Sequence, residues 1–270
     1  MVARLAPLAI VLLYAPGGFG QDAVQPKFEV ASVKISTSLT TASRFRTIGA
    51  VIDGQNVVLK LLLNYAYGVD GFNITGGPAW INSDRFDIQA KAAPNASDLQ
   101  MKQMMEALLA DRFSLQAHRE TRESRVFVLT AATGGLKVHA LQPGSCTPRD
   151  PTTPTGPPAA GQKPVCGVPN QSVNGSNIVI DVVGMDSTNW VRTLSLMLGR
   201  TVINESGLTG PLDRLHFEYT RDDLAAAVTA DSGGISISTA LTQQLGLKLD
   251  RARRPVEVLV IDRVEKPSAN

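Results

Sequence analysis

"SDRFDIQAKA", residues 83–92, opens on turn-forming polar residues and then alternates apolar with polar side chains. It predicts a turn followed by a half-buried strand. The design returns at residues 212–220 as "LDRLHFEYT". Around each copy the order of parts is the same. A helical stretch leads to a Gly-Pro turn (Gly77-Pro78, Gly210-Pro211), and Asp-Arg then opens a strand (Asp84-Arg85, Asp213-Arg214). A second helix follows, then a strand ("FSLQAH", "LKLDRA"), and after a few polar residues the most apolar strand of the half ("VFVLTA", "VEVLVID"). The reading is a duplicated strand–helix–strand–helix–strand–strand unit. The fold class is therefore α+β: two tandem, duplicated small units of antiparallel or mixed sheet with two helices each, joined by a disulfide-clamped loop. Residues 21–133 form the first repeat, 134–176 the linker and 177–270 the second repeat.

Apolar spacing and end signals place the four helices. The first follows Asn56 and stops at Gly68, and the second opens on the capping-box spacing of Ser97 and Gln100. The third starts at Asp186 or Ser187 and ends at Gly199, and the fourth runs from Ser236 to Gly246. Strands are expected at 28–35, 45–52, 85–92, 177–185 and 214–220. Residues 113–132 read as two strands around the polar turn "RESR", and 247–264 as a hairpin turning near Arg251 to Arg254. A short helical turn fits Leu224 to Val228. Each helix shows one apolar stripe and each strand alternates, so helices cover one face of a sheet and the other face is open.

The first twenty residues, with Arg4, an apolar stretch from Leu5 to Tyr14 and Gly18 and Gly20 before Gln21, read as a secretory signal peptide. The alternative is a retained anchor, although the apolar run is short for a membrane span. Lys and Arg number 26 against 24 Asp and Glu, which gives no electrostatic case for nucleic acid or an anionic membrane. The chain's two cysteines, Cys146 and Cys166, bracket "TPRDPTTPTGPPAAGQKPV". In an exported protein they read as a structural disulfide, because a redox pair has C-x-x-C spacing and a metal site needs more ligands. The expected location is periplasmic or extracellular.

No motif in the sequence marks a catalytic, cofactor-binding or metal-ligating residue, and no cofactor is expected. Nucleophile-elbow, zincin, phosphate-loop and dinucleotide fingerprints are missing from the sequence. His118, His139 and His216 have no ligand spacing on one element. Three residues are candidate ligand contacts. Arg85 and Arg214 carry the repeated Asp-Arg pair, and Arg offers a planar fork to carboxylates or phosphates. The competing reading has the Asp capping its turn and the Arg lying along the sheet. Trp80 follows the first Gly-Pro turn, where it either stacks on a ligand or lies under the sheet edge.

"FEVASVK", "AYGVDGFNITGGPAWINSDRFDIQAKA", "MEALLADRFSLQAHRETRESRVFVLTAA", "GLTGPLD" and "GLKLDRARRPVEVLVIDRVEKPSAN" follow one another through almost the whole mature chain. In this the sequence resembles a secreted domain-of-unknown-function family expanded in soil acidobacteria. Some members of that family are fused to membrane metallopeptidases of the β-lactam-sensor type. The resemblance implies a signal peptide, a variable Cys-bracketed loop and an extracytoplasmic sensing or interaction role, and it carries over no catalytic residues. "GPLDRLHFEYT" departs from the pattern, since relatives place an aromatic directly after the Gly turn. The functional expectation is a non-catalytic binding or interaction module of the cell envelope, with a protein or small-molecule partner. The alternative is an exported hydrolase with a site at the junction of the repeats.

Overall fold

The computed structural model describes residues 26–149, 161–220 and 235–267. The stretch expected to be a signal peptide and the expected turn at Leu224 to Val228 lie outside those residues. The described chain is α+β, with four helices and three sheets. Strands β1 (Val30–Ile35), β2 (Arg44–Ile48), β3 (Val51–Val58) and β5 (Arg85–Lys91) form the first sheet in the order β1-β5-β3-β2. Strands β7 (Asn170–Asn174), β8 (Asn177–Val183) and β10 (Arg214–Thr220) form the second, in the order β10-β8-β7. The third has the order β4-β11-β6-β9, from β4 (Ile74–Gly76), β6 (Gln116–Ala131), β9 (Val202–Asn204) and β11 (Leu247–Arg263).

Helix ends follow local chemistry. Helix α1 (Leu59–Tyr67) starts two residues later than the sequence predicts, because β-branched Val57 and Val58 stay in β3, opposite Phe86 and Arg85. Helix α2 (Asp98–Phe113) has its capping box: Ser97 Oγ accepts from the Gln100 amide and Gln100 Oε1 accepts from the Ser97 amide. Asp186 caps α3 (Ser187–Leu198), which ends on left-handed Gly199. Helix α4 (Ile237–Ala240), capped by Ser236, widens into a π turn over Leu241–Leu245. The turn brings the Gln244 amide against the edge of β10, where it donates to the Glu218 carbonyl and accepts from the Glu218 amide, both at 2.8 Å.

The two expected hairpins are each one continuous strand. β6 and β11 pair antiparallel over nearly their full lengths, from Leu247↔Ala131 to Arg263↔Gln116. Their charged middles mimic turns because the ribbon leaves both cores there: Thr121, Arg122, Glu123, Arg253, Arg254 and Pro255 are exposed. Glu123 faces Pro255, and the two stand equally far beyond Ser114 and Gly246, the left-handed residues that precede the strands. The outer strands attach in matching ways: β4 runs parallel to β11 with Ile74 beside Leu259, and β9 parallel to β6 with Val202 beside Phe127. Expected strand 45–52 is a hairpin, β2 and β3 turning at Gly49, and β7 is a strand inside the expected linker.

One face of the ribbon feeds two cores. Leu259 and Ile261 of β11 complete the first, built on Ile52, Phe86, Ile88, Met105, Leu109 and Phe113. Leu129 of β6 and Leu247 complete the second, around Trp190, Leu194, Leu215 and Phe217. Aromatic pairs anchor each: Phe86 meets Phe113 edge-on at 5.2 Å, and Trp190 meets Phe217 at 5.3 Å. Each buried ring contributes roughly 1.5–3 kcal/mol by area. The ribbon's other face holds Val126, Val128, Val256 and Val258 together in a smaller cluster. The Cys146–Cys166 disulfide is formed, and Gly184 lies against it so closely that a Cβ there would sit 2.9 Å from Cys146 Sγ.

Candidate functional site

Arg85 and Arg214 each open a strand, β5 and β10. Arg85 pairs in register with Val58, the last residue of β3, and Arg214 with Val183, the last of β8. In both sheets these arginines are on the face turned away from the core, since Phe86, Ile88, Leu215 and Phe217 are buried on the other. Beyond that the two sites differ.

In the first sheet the register slips between Gly54↔Ile88 and Val57↔Phe86, so Gln55 and Asn56 share a position opposite Asp87. Asn56 takes left-handed backbone at φ 56 and is 3% exposed. Asparagine is among the few side chains that tolerate this conformation. The bulge aims its amide at Asp87 Oδ1 (2.8 Å) and its carbonyl at Arg85, which donates to it at 3.0 Å. Asn56 Nδ2 donates to the Thr40 and Ala42 carbonyls, tying the hydroxyl-rich loop before β2 to the sheet. Asn56 Oδ1 is buried with no hydrogen-bond partner among the described residues. Beside it lies a cleft of about 350 Å³, walled by Ser38, Thr40, Arg44, Gln55, Asn56 and Asp87.

The cleft opens onto the outer face of the first sheet. There Lys34, Arg44, Arg46, Arg85 and Lys91 outnumber Asp53 and Asp87. Arg44 pairs with Asp53 at 3.2 Å. Val30, Ile48 and Val51 add exposed apolar surface at the other end of the same face. The outer face of the second sheet has another character. Arg214, His216, Asp181 and Glu218 share it with Asn170, Ser172, Asn174 and Asn177. Asp181 accepts from His216 Nδ1 (2.9 Å), with Arg214 at 3.5 Å, and no register slip interrupts the ladder.

Trp80 sits on the core side, away from both faces. Its ring stacks on Phe113, meets Phe86 edge-on, and has the Lys266 ammonium 5.8 Å from its centroid. Lys266 also pairs with Asp84. His118 lies between Asp262 and Glu120, and among the described residues no group of three His, Cys, Asp or Glu side chains could hold a metal ion. Where the ribbon meets α1 and α2, Arg119 pairs with Glu257, donates to the Tyr67 carbonyl and lies 6.0 Å from the Tyr67 ring. Burial pushes the Tyr67 hydroxyl and the nearby Glu106 carboxyl above their ordinary values, and Arg119 partly offsets both.

Asn56 and Asp87 are the functional candidates that sequence reading misses. "DGQN", residues 53–56, carries the signal: polar residues ending on an asparagine inside an otherwise apolar run, which mark a bulge as well as a helix start. Among the described residues no helix is long and apolar enough to cross a membrane. No curated protein and no solved structure matches the chain. Residues 60–264, which span α1 to the end of the ribbon, match the family described as protein of unknown function DUF3738, and the chain belongs to that family.

Proposed function

We propose that the protein is an exported, non-catalytic binding module of the cell envelope, built from two copies of one α+β unit, and that the outer face of the first sheet is its contact surface. The duplication is supported by register. Glu123 and Pro255 occupy matching places and face each other, and Ile74 lies beside Leu259 as Val202 lies beside Phe127. In this reading the copies are interlocked through the β6–β11 ribbon rather than set side by side as lobes. Export is supported by the disulfide and by the leader-like first twenty residues.

The observation that carries the function is the divergence of two corresponding faces. The second is mixed and asparagine-rich, whereas the first is cationic with exposed valine and isoleucine and has a strained, buried asparagine organising its cleft. Charge bias plus exposed apolar groups is the character of an interaction surface. Strain held in place by surrounding bonds is typical of functional positions.

The test captures envelope material on immobilised protein and, in parallel, on an Arg44→Glu/Arg46→Glu variant. A partner retained by the natural face and lost from the reversed one supports the proposal. Equal retention on both contradicts it. A second reading, a hydrolase, is favoured by the Glu106, Tyr67 and Arg119 grouping where the ribbon meets α1 and α2. Ester or amide turnover by the purified protein, abolished by Glu106→Gln, would replace the binding reading with that one.

A further inference from the structure

A second concavity lies on the helix-bearing side of the first sheet, apart from the face discussed above. It has a volume of about 350 Å³, and five elements or turns meet there: Phe45 of β2, Leu61 and Tyr65 of α1, Gly68, Lys102 of α2 and Arg192 of α3. Phe45 and Tyr65 form its apolar wall, their ring centroids 5.0 Å apart and tilted by 59°. No carboxylate is among its lining residues.

Both charged lining residues are cations. Lys102 is half-buried and has no ion-pair partner among the described residues, and Asp98, one turn earlier on α2, makes no ion pair with it. An ammonium with no carboxylate partner is available to pair with an incoming anion. Arg192 pairs with Asp70 only at 3.4 Å and is more than half exposed, so its guanidinium has donors to spare. Burial raises the Tyr65 hydroxyl above its ordinary value, and its side-chain bond to Thr47 opposes that, so the wall carries no negative charge at neutral pH.

We propose that this concavity binds a small organic anion, with one carboxylate, sulfonate or phosphate group between Lys102 and Arg192 and a planar or aliphatic body against Phe45 and Tyr65. The volume suits a ligand of that class. Because Lys102 comes from the first half and Arg192 from the second, the bound anion bridges them. The site does not depend on the sheet-face reading and is tested separately.

The probe is 8-anilinonaphthalene-1-sulfonate, titrated into the purified protein by fluorescence, with stoichiometry from calorimetry. N-phenyl-1-naphthylamine, which lacks the sulfonate, is the neutral comparator. Saturable binding at one site is expected, weakened about tenfold or more by Lys102→Gln and by Arg192→Gln. Lys102→Arg should restore most of the affinity, and neither substitution should affect the neutral comparator. Both positions are partly exposed, and unchanged thermal midpoints without probe confirm that the variants fold. Absence of saturable binding up to millimolar probe, or equal affinity in the natural protein and both Gln variants, overturns the proposal.

Discussion

Gly246 and Gly68 both end helices in left-handed backbone, yet one added methyl group separates them. At Gly246 a Cβ would lie 2.0 Å from the Gly135 carbonyl, whereas at Gly68 nothing lies within 4 Å. Gly68→Ala should cost only the backbone strain, about 1–2 kcal/mol. Gly246→Ala adds a steric collision with main chain and should cost about 3 kcal/mol or more, read from denaturant midpoints. Asn56→Ala loses the bonds to Thr40 and Ala42 and the tolerance for positive φ, for about 2–3 kcal/mol. Asn56→Gly should cost less, because it relieves the backbone. Glu106 is a pH probe. Its carboxyl is raised by burial, so its contribution to stability is fully present below the ordinary 4.5 and is lost as pH rises through its folded value. Glu106→Gln should therefore match the natural protein at low pH and exceed it in stability near neutrality. At this scale the sequence marks the glycines that stop helices, because a left-handed terminus needs them. Asn56 escapes a linear reading because its role depends on Asp87 and Arg85, which are distant in sequence.

Helix ends are legible wherever the deciding bonds are local. Ser97 with Gln100, Asp186 and Gly199 form their caps within one turn, so pattern and structure agree there. The ribbon is not legible for the opposite reason. "RESR" and "DRARRP" carry turn-like charge and proline, and only the pairing of β6 with β11, across more than a hundred residues, keeps them extended. Hydrogen exchange separates the alternatives. Alternate amides between Arg119 and Arg125 should exchange slowly, as ladder amides do, whereas a hairpin turn would leave them unprotected. The edge of β10 gives a second test. There Gln244 satisfies the Glu218 main chain from a π turn. Gln244→Ala leaves both backbone groups without that partner and should destabilise by about 1–2 kcal/mol.

In the whole molecule the disulfide and the ribbon act on different parts. Cys146 and Cys166 are 20 residues apart, and the bridge closes one local loop. Reduction should lower stability by about 3 kcal/mol on a chain-entropy account while leaving the β6–β11 pairing in place. The ribbon instead joins the halves. The first core needs Leu259 and Ile261 from the far end of the chain, and the second needs Leu129 from the near one. The order of helices and strands can be read from linear sequence, but the exchange of strand ends between halves cannot, because no local pattern records which core a strand end enters. The direct test is to express residues 21–133 and 134–270 separately and follow each, and their mixture, by near-ultraviolet circular dichroism and denaturant unfolding. Interlocked halves predict that neither fragment unfolds cooperatively alone and that mixing yields a one-to-one complex with a single transition. A cooperative, native-like transition in either isolated fragment would contradict the interlocked fold.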